Sequence, residues 1–175
     1  HSTHNKYEFM LRIFKTYNFP SRDSRVGSET ITFSSRPGDL ISKDDFYVLS
    51  SGLYVMESSL GNENKDNLKE LKPQTVPTWL RQTIACHLAR SSDEWLNYFL
   101  RDRSGTHNNQ WVVVDPKNLH DKKNAVIYVE EAFSIYDIID ATPMLFEQGY
   151  VPTYNMPKSQ KIYYKLGYDT CIFSL

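Results

Sequence analysis

Two β-rich segments joined by a short turn constrain the fold of this chain more than any other feature. Residues 45–52 read DFYVLSSG and residues 53–59 read LYVMESS, and side chains that favour strands dominate both segments. Ser50, Ser51 and Gly52 separate the two runs as a tight connection or a bulge. A β-hairpin is the simplest interpretation, and it predicts an antiparallel sheet.

Other segments carry a similar strand signature. TITFSS at 30–35 alternates in polarity and is followed by the turn signal RPGD at 36–39. QWVVVD at 110–115 and NAVIYVEE at 124–131 read as two strands joined by a turn that contains lysine and asparagine. FSIYDIID at 133–140 fits either a short helix or an irregular segment, and the last 25 residues carry no assignable pattern.

Helical periodicity predicts an amphipathic helix over residues 4–17, where Tyr7, Met10, Leu11 and Phe14 recur at helical spacing. This helix is expected to end near Asn18.

A helix pair is predicted in the middle of the chain. Its first member begins near Thr75 with Pro77 in the first turn, and its second begins at Ser91, which forms a capping box with Glu94. One face of the first helix is formed by Trp79, Leu80, Ile84, His87 and Leu88. The polar stretch at 61–74 is expected to be a surface loop. This order of elements predicts an α+β domain with an antiparallel sheet.

Composition excludes several classes of protein. The 175 residues are 40% hydrophobic, which fits one globular domain over residues 1–175. A net charge of -1 argues against binding to nucleic acid or to an anionic membrane surface, because both require clustered Lys and Arg. Two cysteines, Cys86 and Cys171, define neither a disulfide framework nor a zinc site. No transmembrane segment, metal or cofactor is expected, and no N-x-S/T sequon occurs.

Four strings resemble the phospholipase B-like family, which includes the laminal ancestor proteins. They keep their order along nearly the whole chain: HSTHNKYEFMLRIFKTYNF at 1–19, ITFSSRPGDLISKDDFYVLSSGLYVMESSLGN at 31–62, SGTHNNQWVVVD at 104–115 and YNMP at 154–157. The resemblance implies an N-terminal-nucleophile (Ntn) hydrolase, an αββα sandwich of four layers with antiparallel sheets. In that fold a precursor is cut so that a cysteine becomes a new N-terminus and its α-amino group acts as the base.

The resemblance also implies that this chain is incomplete. The family's cysteine opens a hairpin that returns just before an H-x-T-W string, which here reads His1-Ser2-Thr3-His4. The nucleophile-bearing hairpin and the C-terminal part of the fold are therefore expected outside these residues, and the chain alone is expected to be inactive. The family's tryptophan is replaced by His4.

On the same resemblance, His1, Asn108 and Asn109 are the candidate catalytic residues. His1 could transfer a proton near neutral pH, although a terminal histidine is commonly just solvated. Either asparagine could donate an amide N–H to an oxyanion or hold the nucleophile's amine. The alternative for both asparagines is a turn stabilised by Asx hydrogen bonds. The sequence does not say which asparagine acts.

Five residues are expected to contact substrate: Thr3, Asp45, Ser50, Ser51 and Thr106. A bulge suffices to explain the two serines without a function. A solvated strand start explains the neighbouring Asp44 better than it explains Asp45.

The function implied by the resemblance is hydrolysis of a carboxylic ester, such as a phospholipid acyl ester, or of an amide. The partners implied are upstream and downstream fragments of the same precursor and a lipid or amide substrate, and a homo-oligomer could cover an exposed sheet edge. The implied location is lysosomal or secreted. A non-catalytic interaction or structural protein that keeps the scaffold is the alternative.

Overall fold

The computed structural model describes residues 11–39 and 45–170, which form one antiparallel sheet of seven strands. Each strand pairs with the next in sequence, so the sheet is a meander with β1 and β7 at its edges. The strands are β1 Ile13–Asn18, β2 Thr30–Ser35, β3 Phe46–Leu49, β4 Tyr54–Ser59, β5 Asn109–Val114, β6 Val126–Ala132 and β7 Ile135–Asp140. The α+β class is confirmed, and the second sheet of the four-layer sandwich stays a prediction.

The described residues also form four α-helices, which flank the sheet: α1 Thr78–Leu88, α2 Ser92–Phe99, α3 Thr142–Gln148 and α4 Gln160–Leu166. We call the sheet face beneath α1 and α2 the inner face, and the opposite one the outer face. The main core lies between α1, α2 and the inner face, where Trp95 and Phe99 stack at 4.5 Å and both contact Trp111 of β5. Short 3-10 helices span Lys65–Glu70, Pro116–Asn118 and Tyr168–Thr170.

The helix predicted over residues 4–17 is wrong where the structure can be described. Ile13–Asn18 is the strand β1, whose side chains alternate between half-buried and exposed. Phe14 is 70% exposed, so the apolar residues at helical spacing do not form a buried stripe. Pairing with all six residues of β2 supplies the backbone hydrogen bonds of this segment. Residues 1–10 lie outside the described residues.

Residues 133–140 also differ from the prediction of a helix or an irregular segment. Ile135–Asp140 is the strand β7, which returns along β6 after a two-residue turn. Phe133 opens that turn with φ of 51°, the left-handed conformation that short hairpin turns require. The turn had no sequence signal, because a phenylalanine rarely takes this conformation.

The helix pair is confirmed, and the face that α1 turns toward the sheet is not the one that Trp79 and Ile84 share. Trp79 and Ile84 are 50% and 40% exposed, whereas Arg81 and Cys86 are buried against the sheet. Arg81 turns inward because it has a buried carboxylate partner on β6, described below.

The start of α2 follows the predicted capping box. The side-chain oxygen of Ser91 accepts a hydrogen bond from the backbone N–H of Glu94 at 3.2 Å. The Glu94 carboxylate accepts from the backbone N–H of Arg90 at 2.8 Å, one residue before the cap.

The two halves of the outer face differ in what covers them. Over β5–β7, α3, α4 and the segment between them bury apolar side chains such as Tyr128 and Ile162. Over β1–β4, the described residues leave apolar side chains of the outer face exposed: Phe14, Val48, Tyr54 and Met56.

Candidate functional site

Two cross-strand pairs of β4 and β5 lie at one end of the inner face, and three of their four side chains are polar. Glu57 lies opposite Trp111, and Ser59 lies opposite Asn109. Because alternate residues of a strand share a face, these four continue the inner face that begins with the buried core residue Val55. We call Glu57, Ser59 and Asn109, together with Asp45 beside them, the polar patch.

Asn109 is the most unusual member of the polar patch. Its side chain is 1% exposed, yet neither its amide nitrogen nor its amide oxygen has a hydrogen-bond partner among the described residues. An unsatisfied buried amide costs roughly 1–3 kcal/mol, so native proteins rarely keep one without a reason. The Asn109 carboxamide can therefore take up a group from outside the described residues.

Asn108 has a different environment, although it is only one residue away. Its amide oxygen accepts a hydrogen bond from the backbone N–H of Phe133 at 2.9 Å, and its backbone carbonyl accepts from Leu60 at 2.9 Å. Both bonds tie the start of β5 to neighbouring turns. Asn108 therefore has a structural task in the fold, whereas Asn109 has none that the described residues reveal.

Asp45 and Glu57 bring two carboxyl groups together at the edge of the patch. The backbone N–H of Glu57 donates to the carbonyl of Asp45 at 2.9 Å, so the two residues are opposite each other, one position beyond the pair Phe46 and Met56. Burial, together with this neighbouring acid, raises the pKa of Glu57 to about 9. Asp45 has φ of 63°, a left-handed conformation that Asp tolerates better than most residues.

A buried ion pair lies beside the patch. Arg81 of α1 donates to both carboxylate oxygens of Glu131 at 3.1 Å, and both side chains are 2% exposed. Since Gln110 pairs with Glu130, continuing the register by one residue sets Glu131 next to Asn109. Burial raises the pKa of Glu131, and the positive charge of Arg81 opposes that rise.

The loop before β5 contains the predicted substrate residue Thr106. Thr106 is exposed, and its hydroxyl lies 2.8 Å from that of Ser104. Gly105 between them has φ of 68°, and a Cβ at this position would lie 2.8 Å from Cα of Phe133. Only glycine lets the loop approach the β6–β7 turn so closely.

Ser50 and Ser51 lie away from the polar patch. They occupy the turn between β3 and β4, where Ser50 accepts from the N–H of Thr30 at 3.2 Å and the N–H of Ser51 donates to Ser28 at 3.2 Å. The length of β3, roughly 13 Å, separates them from Asp45. The structure thus places Asp45 opposite Glu57 of the polar patch, whereas the two serines lie at the other end of β3. His1 and Thr3 lie outside the described residues.

A second polar network lies on the outer face and is internally satisfied. Gln110 donates to Glu130 at 2.5 Å and accepts from Thr153 at 2.6 Å, and Glu130 also accepts from the backbone N–H groups of Lys158 and Ser159. These bonds hold the segment that contains the YNMP string against the sheet. Its polar groups are used within the fold, so this network fits a structural role.

Three residues at or beside the site were missed in the sequence: Glu57, Arg81 and Glu131. The signal for Glu57 was available. Val55, Glu57 and Ser59 share one face of β4, so an acid follows the apolar Val55 on the same face. Tandem acids at the end of the apolar run VIYVEEA gave a similar signal for Glu131. Arg81 had no comparable signal, because an arginine in a helix is usually exposed.

Two findings bear on metals and membranes. Within residues 11–39 and 45–170, no group of three His, Cys, Asp or Glu side chains is placed to hold a metal ion. None of the helices in the same ranges is long and apolar enough to cross a bilayer. Cys86 is a buried free thiol and packs in the core as expected, while Cys171 lies outside the described residues.

Comparison with known proteins places these residues in a family. A family model described as Phospholipase B matches residues 1–173. Phospholipase B-like 1 of Homo sapiens is 36% identical over 178 residues, which cover 100% of this chain and 32% of that protein. Phospholipase B-like protein B of Dictyostelium discoideum is 36% identical, over 97% of this chain and 30% of that protein. The chain thus spans about a third of the length of these relatives, and it belongs to the phospholipase B-like family.

Proposed function

We propose that this chain supplies one wall of the active site of an Ntn hydrolase that cleaves a carboxylic ester or an amide. The nucleophile is a cysteine at a free N-terminus, carried by a fragment that precedes these residues in the precursor. The observation that carries the proposal is the Asn109 carboxamide, which is buried without a partner in a chain that belongs to the phospholipase B-like family.

The proposed reaction has two steps, transfer of the acyl group to the cysteine and hydrolysis of the resulting thioester. The α-amino group of the cysteine takes the thiol proton, and the sulfur attacks the acyl carbon. The carbonyl oxygen becomes an oxyanion, which accepts a hydrogen bond from Nδ2 of Asn109. The intermediate collapses and expels the alcohol or amine, which leaves with the proton. Water then attacks the thioester, releases the carboxylic acid and restores the thiol.

The position of Asn109 suits this role. A donor that stabilises an oxyanion works best when it is fixed before the reaction and shielded from water. Asn109 is the first residue of β5 and pairs with Ser59 on one side, so its backbone is held by the sheet. Removing such a donor typically lowers kcat by roughly 100-fold to 1,000-fold.

The uncovered half of the outer face supports the four-layer fold. An Ntn sandwich packs two sheets face to face, and β1–β4 present apolar side chains on the side away from α1 and α2. A second sheet from the remaining two thirds of the protein would bury them, because the relatives are about three times as long as this chain.

The substrate class follows the names of the relatives. Proteins called phospholipase B-like support an acyl ester of a phospholipid as the substrate, with an amide as the other possibility. The lysosomal or extracellular location belongs to the same proposal, as does proteolytic release of the cysteine.

A comparison of asparagine variants in the full-length protein tests the proposal. Asn109→Ala should lower ester or amide hydrolysis at least 100-fold, while Asn97→Ala, on the exposed side of α2, should leave it unchanged. Circular dichroism and thermal unfolding should show that both variants fold. Full turnover by folded Asn109→Ala would refute the oxyanion assignment.

The second candidate is a non-catalytic protein that keeps the scaffold. The replacement of the family's tryptophan by His4 favours it, because an imidazole is a poor substitute for an indole. N-terminal sequencing and intact mass of the mature protein separate the two. A fragment that begins with cysteine supports the hydrolase, and its absence supports the scaffold.

A further inference from the structure

We propose that Trp111 is a second hydrogen-bond donor of the site, so that the oxyanion that faces Asn109 also accepts from the indole N–H of Trp111. The inference rests on the proposed hydrolase function. Trp111 is not among the residues that the sequence singles out.

The indole nitrogen of Trp111 is buried without a partner. Trp111 is 4% exposed, and its Nε1 has no hydrogen-bond partner among the described residues. A buried indole N–H usually has one, and that of Trp95 donates to Sγ of Cys86 at 3.5 Å. The third tryptophan, Trp79, is half exposed. Among the three tryptophans, all of which the structure describes, only Trp111 therefore has an unused buried donor.

Trp111 lies next to Asn109 on the inner face. The two are alternate residues of β5, so their side chains share this face and their Cα atoms are roughly 7 Å apart. Asn109 is likewise buried, with an unpartnered carboxamide. Because an indole is long, its N–H and Nδ2 of Asn109 can reach one oxygen between them. Two unused donors side by side indicate an external acceptor, since each costs free energy when it is buried without one.

Aromatic packing fixes the indole of Trp111. Its ring centroid lies 5.7 Å from that of Trp95 and 5.1 Å from that of Phe99, and the second contact is edge-to-face at 62°. A donor held in this way needs no reorientation when charge develops on the substrate. The N–H should therefore stabilise the transition state more than the bound substrate, which is the property that raises kcat.

Glu131 is another acceptor near this donor. Continuing the register of β5 and β6 sets Glu131 opposite Asn109, and Arg81 already donates to both of its carboxylate oxygens at 3.1 Å. Burial raises the pKa of Glu131, Arg81 opposes that rise most, and the indole of Trp111 opposes it least. The indole and the carboxylate form no hydrogen bond. The N–H thus lies beside a carboxylate that has its own cation, and it stays available to an oxygen next to Asn109.

The test is Trp111→Phe in the full-length protein, compared with Trp95→Phe. Phenylalanine keeps an aromatic ring and removes the N–H, so kcat for ester or amide hydrolysis should fall roughly 100-fold with little change in KM. Trp95→Phe also truncates a buried indole, but that N–H donates to Cys86, so kcat should fall far less. Benzothienylalanine at position 111 keeps the size of the indole and replaces the N–H by sulfur. It should be as slow as Trp111→Phe, which separates the lost donor from lost packing.

Asn109→Ala distinguishes failure of this inference from failure of the hydrolase proposal. Full kcat in folded Trp111→Phe, with Asn109→Ala slowed, would overturn this inference alone and leave a buried water as the partner of the indole. Full turnover in both variants would overturn the hydrolase assignment as well. A higher KM at unchanged kcat in Trp111→Phe would mean that the N–H binds substrate and transition state equally, which also contradicts the inference.

A readout that needs no turnover is the NMR signal of the indole N–H. In full-length protein with isotope-labelled tryptophan, the signal that is missing in Trp111→Phe belongs to Trp111. Octanoate, the product of hydrolysis of an octanoyl ester, should shift this signal and not that of Trp95, because its carboxylate takes the place of the oxyanion. Such a shift in a protein without turnover would keep the donor and reject the hydrolase. A Trp111 signal that octanoate leaves unmoved would overturn the donor assignment.

Discussion

Arg81 and Glu131 form a buried ion pair in which one guanidinium nitrogen lies 3.1 Å from each carboxylate oxygen. The guanidinium also donates to the backbone carbonyls of Val76 and Phe99, and to the hydroxyl of Thr78. One side chain thus joins the start of α1, the end of α2 and the inner strand β6. Its partner Glu131 lies opposite Asn109 in the register of β5 and β6, so the ion pair borders the proposed site.

Replacing Arg81 by methionine should destabilise the protein by about 3–5 kcal/mol, because it leaves the Glu131 carboxylate buried without its cation. The double variant Arg81→Met, Glu131→Leu should recover much of that loss, since it removes both charges. Urea unfolding measures both variants. Arg25→Ala is the control, because the Arg25 side chain is 81% exposed and its ion pair contributes little. Equal stability of the single and double variants would contradict this account of the pair.

Gly105→Ala should destabilise more than Gly149→Ala, although both glycines have positive φ. The two φ values are 68° and 79°, so each alanine meets about the same backbone strain, roughly 1–2 kcal/mol. Only at Gly105 does the new methyl meet another segment, at 2.8 Å from Cα of Phe133, while nothing lies within 4 Å at Gly149. Thermal unfolding measures the difference. We also expect Gly105→Ala to reduce turnover, because it displaces the loop that leads to Asn109, and equal effects of both variants would argue against this.

Ser91→Ala should cost about 1 kcal/mol of unfolding free energy, because it removes the side-chain acceptor at the start of α2. Ser91→Asp should restore most of the loss, since Asp also accepts from the helix N–H groups. Denaturant titrations of the two variants measure the effect, with Ser24→Ala, at an exposed loop position, as the control. A loss in Ser91→Ala no larger than in Ser24→Ala would show that the cap does not matter.

Local patterns predicted those parts of the fold that local chemistry decides. TITFSS has the bounds of β2, and Ser91 with Glu94 marks the start of α2, because alternation and capping act within a few residues. The helix predicted over residues 4–17 was wrong at Ile13–Asn18, because apolar residues at helical spacing say nothing about pairing with β2, which decides the structure of that segment.

The candidate site depends on contacts between distant residues, and the sequence could not resolve it. Asn108 and Asn109 are equivalent in sequence, and they differ because the N–H of Phe133 reaches only the first of them. Ser50 and Ser51 lie close to Asp45 in sequence, yet the strand β3 separates them from it. Glu57 lies opposite Asp45 across a hairpin, and the pattern of a single strand does not show which residue of the next strand is its neighbour.

The exposed apolar half of the outer face leads to the last prediction. Val48 of β3 and Ile138 of β7 are similarly exposed in this chain, at 38% and 42%, but they lie on opposite faces of the sheet. If a second sheet covers the outer face in the full-length protein, Val48→Glu should bury an unpaired charge and cost roughly 3 kcal/mol or more. Ile138 lies on the inner face, beyond the part that α1 and α2 cover. Ile138→Glu should therefore change the free energy of unfolding by less than about 0.5 kcal/mol. Chemical denaturation of both full-length variants measures the contrast. A tolerated Val48→Glu would mean that the outer face stays open to water, which would rule out the proposed sandwich.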